Sequence, residues 1–422
     1  MRAFRLLLRL ARAKRGNVIV AAAASLPVVI GGAGLATDTL QWTLWKRQLQ
    51  RAADSAALSG AYALAQSKSA STSATADLAR TAELSYSSAP TIQSPPTSGP
   101  GLGNNSAVRI VVQTARNLPF SSLFLSAGPT VTAEATAAVV NNGNYCVISL
   151  EPTAAVGITM SGNSTVNMGC GMATNSRATN AVNAGGSSQI TATPIAAVGG
   201  LAWSNNYLGE TQLKPRQIPQ ADPYASLPDP DISSTQCNGQ MAVPPHDDQS
   251  FTPGCYKKVD IKGTARLAAG VYFIDGGSFS VGAQGVVVGT GVTIILTSKT
   301  ASSNPSSIAT VDMNGGATIQ LTAPTTSSPS PANTYAGVIF YQDRRAVDSG
   351  SNKINGNSSA FYQGSFYFPR QEVEFTGTSG MTTDCLQIVG RRVKFSGNSS
   401  ISNHCPSGGP RSFTGTAVRL IG

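Results

Sequence analysis

The longest apolar segment of the chain lies near its N-terminus. No charged residue occurs from Val18 to Ala36, and a helix of that length spans about 28 Å, close to the hydrocarbon thickness of a bilayer. Six cations and no acid precede it: Arg2, Arg5, Arg9, Arg12, Lys14 and Arg15. Because lysine and arginine stay on the cytoplasmic side, the pattern predicts a cytoplasmic basic tail over 1–15, a transmembrane helix over 16–38 and an extracytoplasmic remainder.

Two alternatives are open for this segment. Gly34, Leu35 and Ala36 offer the small-x-small pattern of a signal-peptide cleavage site, although the apolar run exceeds the usual core of about 7 to 15 residues. A buried helix of a soluble protein would leave the preceding cations unexplained. We therefore expect a retained anchor, kinked at Pro27 because the proline ring removes one backbone hydrogen bond.

A helical pattern of small residues continues beyond the apolar run. Apolar and small side chains recur three or four apart at Leu49, Ala53, Ala56, Ala57, Gly60 and Leu64. Such a narrow face lets another backbone approach closely. It predicts packing within the same domain or, alternatively, against a neighbouring helix.

The next hundred residues predict a small α/β domain over 39–144. A second helix is expected from Ala74 to Tyr86, and the Ser-, Pro- and Gly-rich stretch 87–105 has the composition of a linker. Strands are expected over Val108–Val112 and Thr130–Val140, with a short helical segment between them.

From Tyr145 onward short alternating segments repeat around a glycine. The clearest copies are ITMSGNSTVNM (158–168), VDMNGGATIQL (311–321), VEFTGTSGM (373–381) and VKFSGNSSI (393–401). Stacked short strands with glycine or asparagine corners are typical of a parallel β-helix, so we expect a right-handed β-helix over 145–422. A β-sandwich or jelly roll is the alternative, although Asn-Gly hairpin turns are few.

One segment interrupts this pattern. Residues 203–254 are rich in proline and acid, and they contain few alternating runs. We expect a surface excursion of the β domain here.

Composition supports export and argues against nucleic-acid binding. Only 12% of the residues are charged, and 43 are glycine. The net charge of +10 falls to +4 without the six N-terminal cations, since 24 cations then face 20 acids. No arginine-rich stripe with interleaved aromatics appears after the apolar run, so nucleic acid is not an expected partner.

All six cysteines follow the apolar run and form three local pairs. The expected disulfides are Cys146 with Cys170, Cys237 with Cys255, and Cys385 with Cys405. Disulfides persist only in an oxidising compartment, which agrees with the predicted orientation. Loops of this size would each stabilise the fold by roughly 3 kcal/mol.

Candidate chemistry is sparse. His246 stands beside two aspartates in a proline-rich stretch, His404 adjoins Cys405, and Asp343, Arg344 and Arg345 form a compact charged group that an exposed ion pair would explain. We assign no catalytic, cofactor-binding or metal-binding residue. Some parallel β-helices cleave polysaccharides, so a membrane-tethered carbohydrate-active enzyme or carbohydrate-binding protein, with surface glycans as partners, is the alternative function.

The N-terminal region resembles the TadE/TadG-like proteins of Flp (tight adherence) pilus assembly. The resemblance rests on RGNVIV at Arg15–Val20, LP at 26–27, GLATD at Gly34–Asp38 and LQRAADSAALSGA at Leu49–Ala61, in the expected order. A strand-like segment, PTVTAEATAAV at 129–139, is also similar to the end of that family's first domain.

This resemblance implies a bacterial envelope protein without catalysis, anchored in the inner membrane. Its expected role is structural or adhesive, and its expected partners are the lipid bilayer and other pilus or envelope proteins. Related pseudopilins are cut after a glycine followed at the fifth position by glutamate, whereas Gly16 is followed there by Ala21. The D-x-S-x-S motif of larger family members is also missing from the sequence. We therefore expect the anchor to be retained, with the repeat domain in place of a von Willebrand A-type domain.

Overall fold

The structure is a computed structural model of the full chain. It describes residues 17–81, 85–237, 239–355, 357, 359–377, 381–398, 400–403 and 413–422. The predicted cytoplasmic tail, His404 and Cys405 lie outside these residues. The chain divides into two compact units: the first takes residues up to Val140 together with Val418–Gly422, and the second is Asn141–Ala417.

The first unit is built on one long helix. Helix α1 runs without interruption over Asn17–Ala65 and contains Pro27, and α2 (Ala70–Arg80) follows after a short turn. Three strands pair antiparallel in the order β1–β2–β3: β1 (Thr91–Gln93), β2 (Ala107–Ala115) and β3 (Thr130–Ser149). A 3₁₀ turn over Ser121–Leu123 lies between β2 and β3.

The small face of α1 packs inside its own unit. Leu49, Ala53, Ala56 and Ala57 are fully buried against α2, β2 and β3. A Cβ added to Gly60 would lie only 3.0 Å from Cγ1 of Val108, so the glycine permits close helix-to-sheet approach. The prediction of packing within the domain is confirmed.

Several boundaries in this unit differ from those that the sequence predicted. The second helix begins four residues earlier than expected, at Ala70, where the Ser69 side chain accepts a hydrogen bond from the Thr72 amide. The predicted linker contains strand β1. The last residues return to this unit: the Ile421 amide donates to the Thr136 carbonyl over 2.8 Å, whereas the sequence placed 418–422 in the repeat domain.

The second unit is a β-strand domain dominated by parallel pairing. Its first strands after β3 are β4 (Ile158–Met160), β5 (Thr165–Asn167), β6 (Gly171–Thr174), β7 (Val182–Ala184), β8 (Gln189–Thr191), β9 (Ile195–Ala197) and β10 (Leu213–Lys214). Next come β11 (Gln240–Val243), β12 (Asp248–Phe251), β13 (Gly254–Tyr256), β14 (Lys258–Ile261), β15 (Thr264–Leu267), β16 (Gly270–Asp275), β17 (Ser278–Val281), β18 (Val286–Thr290) and β19 (Val292–Thr297). The last are β20 (Thr310–Met313), β21 (Thr318–Thr322), β22 (Val338–Gln342), β23 (Ser351–Ile354), β24 (Phe361–Gly377), β25 (Met381–Gly397), β26 (Ser400–Asn403) and β27 (Phe413–Leu420), which ends in the first unit.

Strands pair with the third strand along the chain, so three parallel series arise. The first runs β11–β14–β17–β20–β23, the second β12–β15–β18–β21–β24 and the third β13–β16–β19–β22–β24. The long strands β24 and β25 each take part in all three series. A large, parallel-rich β domain therefore follows the N-terminal helix, as the sequence predicted.

The repeated glycine motif marks one corner of this arrangement. All four copies run from a strand of the first series into one of the second. Gly162, Gly186 and Gly397 have φ angles of +70°, +65° and +74°. A Cβ on Gly162 would lie 2.9 Å from the Gly397 carbonyl oxygen, and one on Gly186 would lie 3.1 Å from that of Gly162. Stacked backbones at this corner therefore select glycine.

Apolar side chains from all three series form a continuous core. Its centre is a row of fully buried aromatic rings: Phe366 and Phe375 are 5.9 Å apart, and Phe375 and Phe395 are 5.5 Å apart. Both pairs are close to parallel, with interplanar angles of 12° and 22°. Phe375 and Phe395 are partners in the parallel register of β24 and β25, whereas Phe366 and Phe375 come from two parts of β24 and meet inside the core.

The order of stacking differs from the order of the chain. The chain enters at β3, which pairs with β25, and proceeds through β6 and β9 to β10. Residues 215–237 then lead to β11, from which the series return to β25. The predicted excursion over 203–254 is too long, because β10, β11, β12 and part of β13 fall inside it. We call residues 215–237 the strap.

Candidate membrane anchor and polar networks

The apolar part of α1 is a candidate membrane span. A helix from Ala21 onward is long and apolar enough to cross a bilayer. Its large side chains are solvent-exposed, among them Leu26, Val28, Val29, Ile30, Leu35 and Leu40. The unit's core begins only near Trp45, which is buried with Arg116 over its ring. Exposed apolar surface of this kind suits a lipid environment.

Asp38 ends the uncharged stretch and is buried by the turn that follows β2. Its Oδ1 accepts a hydrogen bond from the Phe120 amide over 2.9 Å. Its Oδ2 accepts one from the Ser121 amide over 2.6 Å and a second from the Ser121 hydroxyl. One turn earlier, the ring of Phe120 covers Gly34, where a Cβ would lie only 2.2 Å from the ring. We call these contacts the Asp38 clasp.

Two disulfides join described residues of the second unit. Cys146 pairs with Cys170 and Cys237 with Cys255, which are the first two predicted pairs. Cys385 is buried, but its predicted partner lies outside the described residues. The bridge between Cys237 and Cys255 ties the end of the strap to β13.

The charged group around residue 343 fastens the strap. Asp343 is fully buried and accepts hydrogen bonds from Thr297 and from the Arg345 guanidinium. Arg345 also donates to the Pro230 carbonyl over 2.6 Å. The expectation of an exposed ion pair is wrong, because the strap covers the outer face of the third series at this point.

Arg344 makes the larger set of strap contacts. Its guanidinium donates to the Leu227 carbonyl over 2.7 Å, to Asp229 over 2.9 Å and to the Tyr224 carbonyl. It also donates to the Tyr367 hydroxyl over 2.8 Å and lies over that ring. These partners make Arg344 a structural residue.

A second buried network surrounds Glu151, which follows β3. Its carboxylate accepts hydrogen bonds from Arg391 over 3.0 Å, from Arg392 over 2.8 Å and from Thr153 over 2.7 Å. Burial opposes ionisation, but these hydrogen bonds outweigh it and hold the pKa of Glu151 below its ordinary value. Asp348 accepts from both arginines. Glu151 is therefore a paired anion and not a proton donor.

The described clefts contain few side chains that could bind a ligand or take part in catalysis. One of about 390 Å³ is lined by proline, glycine, alanine, serine, Val271 and Phe273. Another of about 270 Å³ contains Arg344, Arg370, Arg391 and one carboxylate, Asp222, which accepts from the Tyr367 hydroxyl over 2.7 Å. Within the described residues no group of three or more His, Cys, Asp and Glu could hold a metal ion. His246 occupies a turn between β11 and β12 with φ +69° and is exposed.

The long apolar helix and the N-terminal comparison together fit a single-pass membrane protein. Residues 16–65 match the family model described as putative Flp pilus-assembly TadE/G-like. The matched segment contains the apolar span, Asp38 and the buried small face, and it agrees with the resemblance seen in the sequence. Searches of curated proteins and of solved structures return no match.

Proposed function

We propose that the protein is an envelope component of a Flp/Tad-type pilus system, anchored in the inner membrane by α1 with its N-terminus in the cytoplasm. The observation that carries this proposal is the family match over residues 16–65, which covers the anchor and the buried helix face. The cationic tail supports the orientation, and the two disulfides support an oxidising compartment for the second unit.

The second unit is proposed to be a right-handed parallel β-helix with a structural or adhesive role. The pairing of each strand with the third strand along supports this architecture. The outward positions of β5 and β8 are polar: Thr165 neighbours Gln189, and Asn167 neighbours Thr191. Such ladders present a flat hydrogen-bonding surface, which suits contact with other envelope proteins.

A catalytic role has less support. Polysaccharide cleavage commonly uses two carboxylates that converge on the scissile bond. Among the described residues that line the charged cleft, Asp222 is the only one with a carboxylate. Glu151 and Asp343 are buried and already hydrogen-bonded to arginines. We therefore propose that the protein is not an enzyme.

Deletion and complementation test this function. Cells lacking the chain should assemble fewer surface pili by electron microscopy and adhere less to a surface, and the full-length chain should restore both. A variant bearing Asp222→Asn should restore both as well, because no step of the proposed role uses that carboxylate. Normal piliation together with normal adhesion in the deletion strain would overturn the proposal.

A further inference from the structure

Three neighbouring apolar side chains of the first unit are exposed to solvent. Leu123, Phe124 and Leu125 are 73%, 76% and 57% exposed, and they follow one another at the end of the 3₁₀ turn between β2 and β3. Soluble proteins rarely leave a contiguous patch of large apolar residues uncovered without a partner. We call Leu123–Leu125 the apolar tip.

The apolar tip belongs to the turn that grips α1 at the end of its apolar span. Phe120 and Ser121 form the Asp38 clasp, with the Phe120 ring over Gly34. Gly34 and Asp38 are one helical turn apart, so they share a face of α1. The rings of Phe120 and Phe124 are in edge contact with centroids 5.5 Å apart. The clasp therefore fixes the tip's position along the helix.

That position coincides with the outer edge of a bilayer. At about 1.5 Å per residue, Gly34 lies about 24 Å and Asp38 about 30 Å along the helix from Val18. The hydrocarbon core is about 30 Å thick, so the clasp falls where acyl chains give way to headgroups. The clasp also supplies three hydrogen bonds to the Asp38 carboxylate, so this charge at the edge of the hydrocarbon core is hydrogen-bonded within the protein.

We propose that the apolar tip inserts into the outer leaflet of the membrane that α1 crosses. The protein would then contact the bilayer at two points, the helix and the tip, and this would restrict the tilt of the first unit relative to the membrane plane. Aromatic and leucine side chains are favoured partners of the interface. The inference rests on the transmembrane assignment of α1 in the proposed function, but not on a role in pili.

Depth-dependent fluorescence quenching tests the insertion. Phe124→Cys in the full-length protein, labelled with an environment-sensitive thiol dye without reduction, is reconstituted in phosphatidylethanolamine/phosphatidylglycerol nanodiscs. Nitroxide lipids carry the quencher either near the headgroup or near the acyl-chain end. We expect blue-shifted emission and quenching several-fold stronger with the shallow nitroxide than with the deep one.

Leu102→Cys is the matched control. Leu102 is an equally exposed leucine, at 69%, in the same unit. It precedes Ala107 at the start of β2, whereas the tip follows Ala115 at the end of that strand, so the two sites lie beyond opposite ends of a strand about 27 Å long. Quenching at position 124 that is no stronger than at position 102 would overturn the proposal. A blue shift without lipid quenching would also overturn it, in favour of contact with a second protein copy.

Two further variants separate the possible failures. Val29→Cys, on the exposed surface of the span, should be quenched best by the deep nitroxide. Deep quenching at 29 without quenching at 124 refutes only the tip, whereas no quenching at 29 refutes the membrane span itself. Asp38→Asn replaces one acceptor oxygen of the clasp and should weaken quenching at 124. Unchanged quenching in that variant would overturn the role of the clasp.

Discussion

The contacts of Arg344 make a quantitative prediction about the strap. The guanidinium donates four hydrogen bonds, to the carbonyls of Tyr224 and Leu227, to Asp229 and to the Tyr367 hydroxyl. Its side chain is 21% exposed. The substitution Arg344→Met keeps much of the aliphatic volume but leaves the two carbonyls without this donor. The strap should then be held less tightly to the third series.

The expected loss of stability follows from these bonds. Hydrogen bonds to a charged group contribute about 1.5–3 kcal/mol each, but they are not additive within one network. Removing one partner of a buried charged network costs about 3–5 kcal/mol. Because Arg344 retains some exposure, we take the lower end, about 3 kcal/mol, which corresponds to a fall in Tm of roughly 6 °C for a unit of this size.

Thermal unfolding of the full-length protein in detergent, together with limited proteolysis, measures the effect. Arg344→Met should lower the Tm and open new cleavage sites within the strap. The matched control is Arg370→Met: Arg370 is exposed, and its guanidinium donates a hydrogen bond to the Arg344 carbonyl over 3.1 Å. This control should change stability by less than about 1 kcal/mol. Equal shifts in Tm for the two variants would refute the structural role of Arg344.

Three further substitutions test other parts of the fold by thermal unfolding. Glu151→Gln should lower the free energy of unfolding by about 3–5 kcal/mol at neutral pH. The folded-state pKa of Glu151 lies below its ordinary value. The ionised carboxylate therefore stabilises the fold above the ordinary carboxylate pKa, and this stabilisation is lost as the pH falls through the folded-state pKa. Wild type and Glu151→Gln should therefore converge in acid, and a constant difference in Tm would contradict the pairing. Ala57→Leu overfills a fully buried position and should cost about 1–3 kcal/mol, whereas Ser55→Leu on the exposed side of α1 should have little effect; equal effects would contradict the packed face. Phe375→Ala removes a ring from the aromatic row and should cost about 3–5 kcal/mol, and a cost below about 1 kcal/mol would argue against that row.

The local features of the fold could be predicted because they repeat at short range. The uncharged run after the basic tail predicted α1, and the small residues at helical spacing predicted its buried face. The glycine motif predicted short strands meeting at corners, and Gly162 and Gly186 have positive φ at such corners. Alternating apolar positions predicted which side chains face the core.

Contacts between residues far apart in the sequence could not be predicted in the same way. Pairing of β3 with β25 joins residues about 240 positions apart, and no local pattern encodes that neighbour. Strands β11 and β12 were missed because prolines and acids dominate the composition around them, although Met241 and Val243 alternate inward. The partners of Arg344 in the strap are 115 to 120 residues away, so its charged neighbours in sequence suggested only an exposed pair.

The contacts at the candidate membrane anchor were predicted only in part, because they also join residues far apart in the sequence. The sequence placed Asp38 just after the span, but its partners Phe120 and Ser121 are 82 and 83 residues away. The short helical segment between β2 and β3 was expected as part of a domain and not as a contact with the anchor. One signal could have suggested its exposure: the hydrophobic residues Leu123, Phe124 and Leu125 form an unbroken run and do not alternate.

Lysine labelling in intact spheroplasts tests the central claim, a retained anchor with the chain beyond it outside the cytoplasm. A membrane-impermeant amine reagent is added before or after lysis, and the labelled peptides are identified by mass spectrometry. We predict that Lys258, which is exposed in β14, is labelled in intact spheroplasts, whereas Lys14 is labelled only after lysis. Labelling of Lys258 only after lysis, or loss of the Lys14 peptide from the membrane-bound protein, would contradict the account.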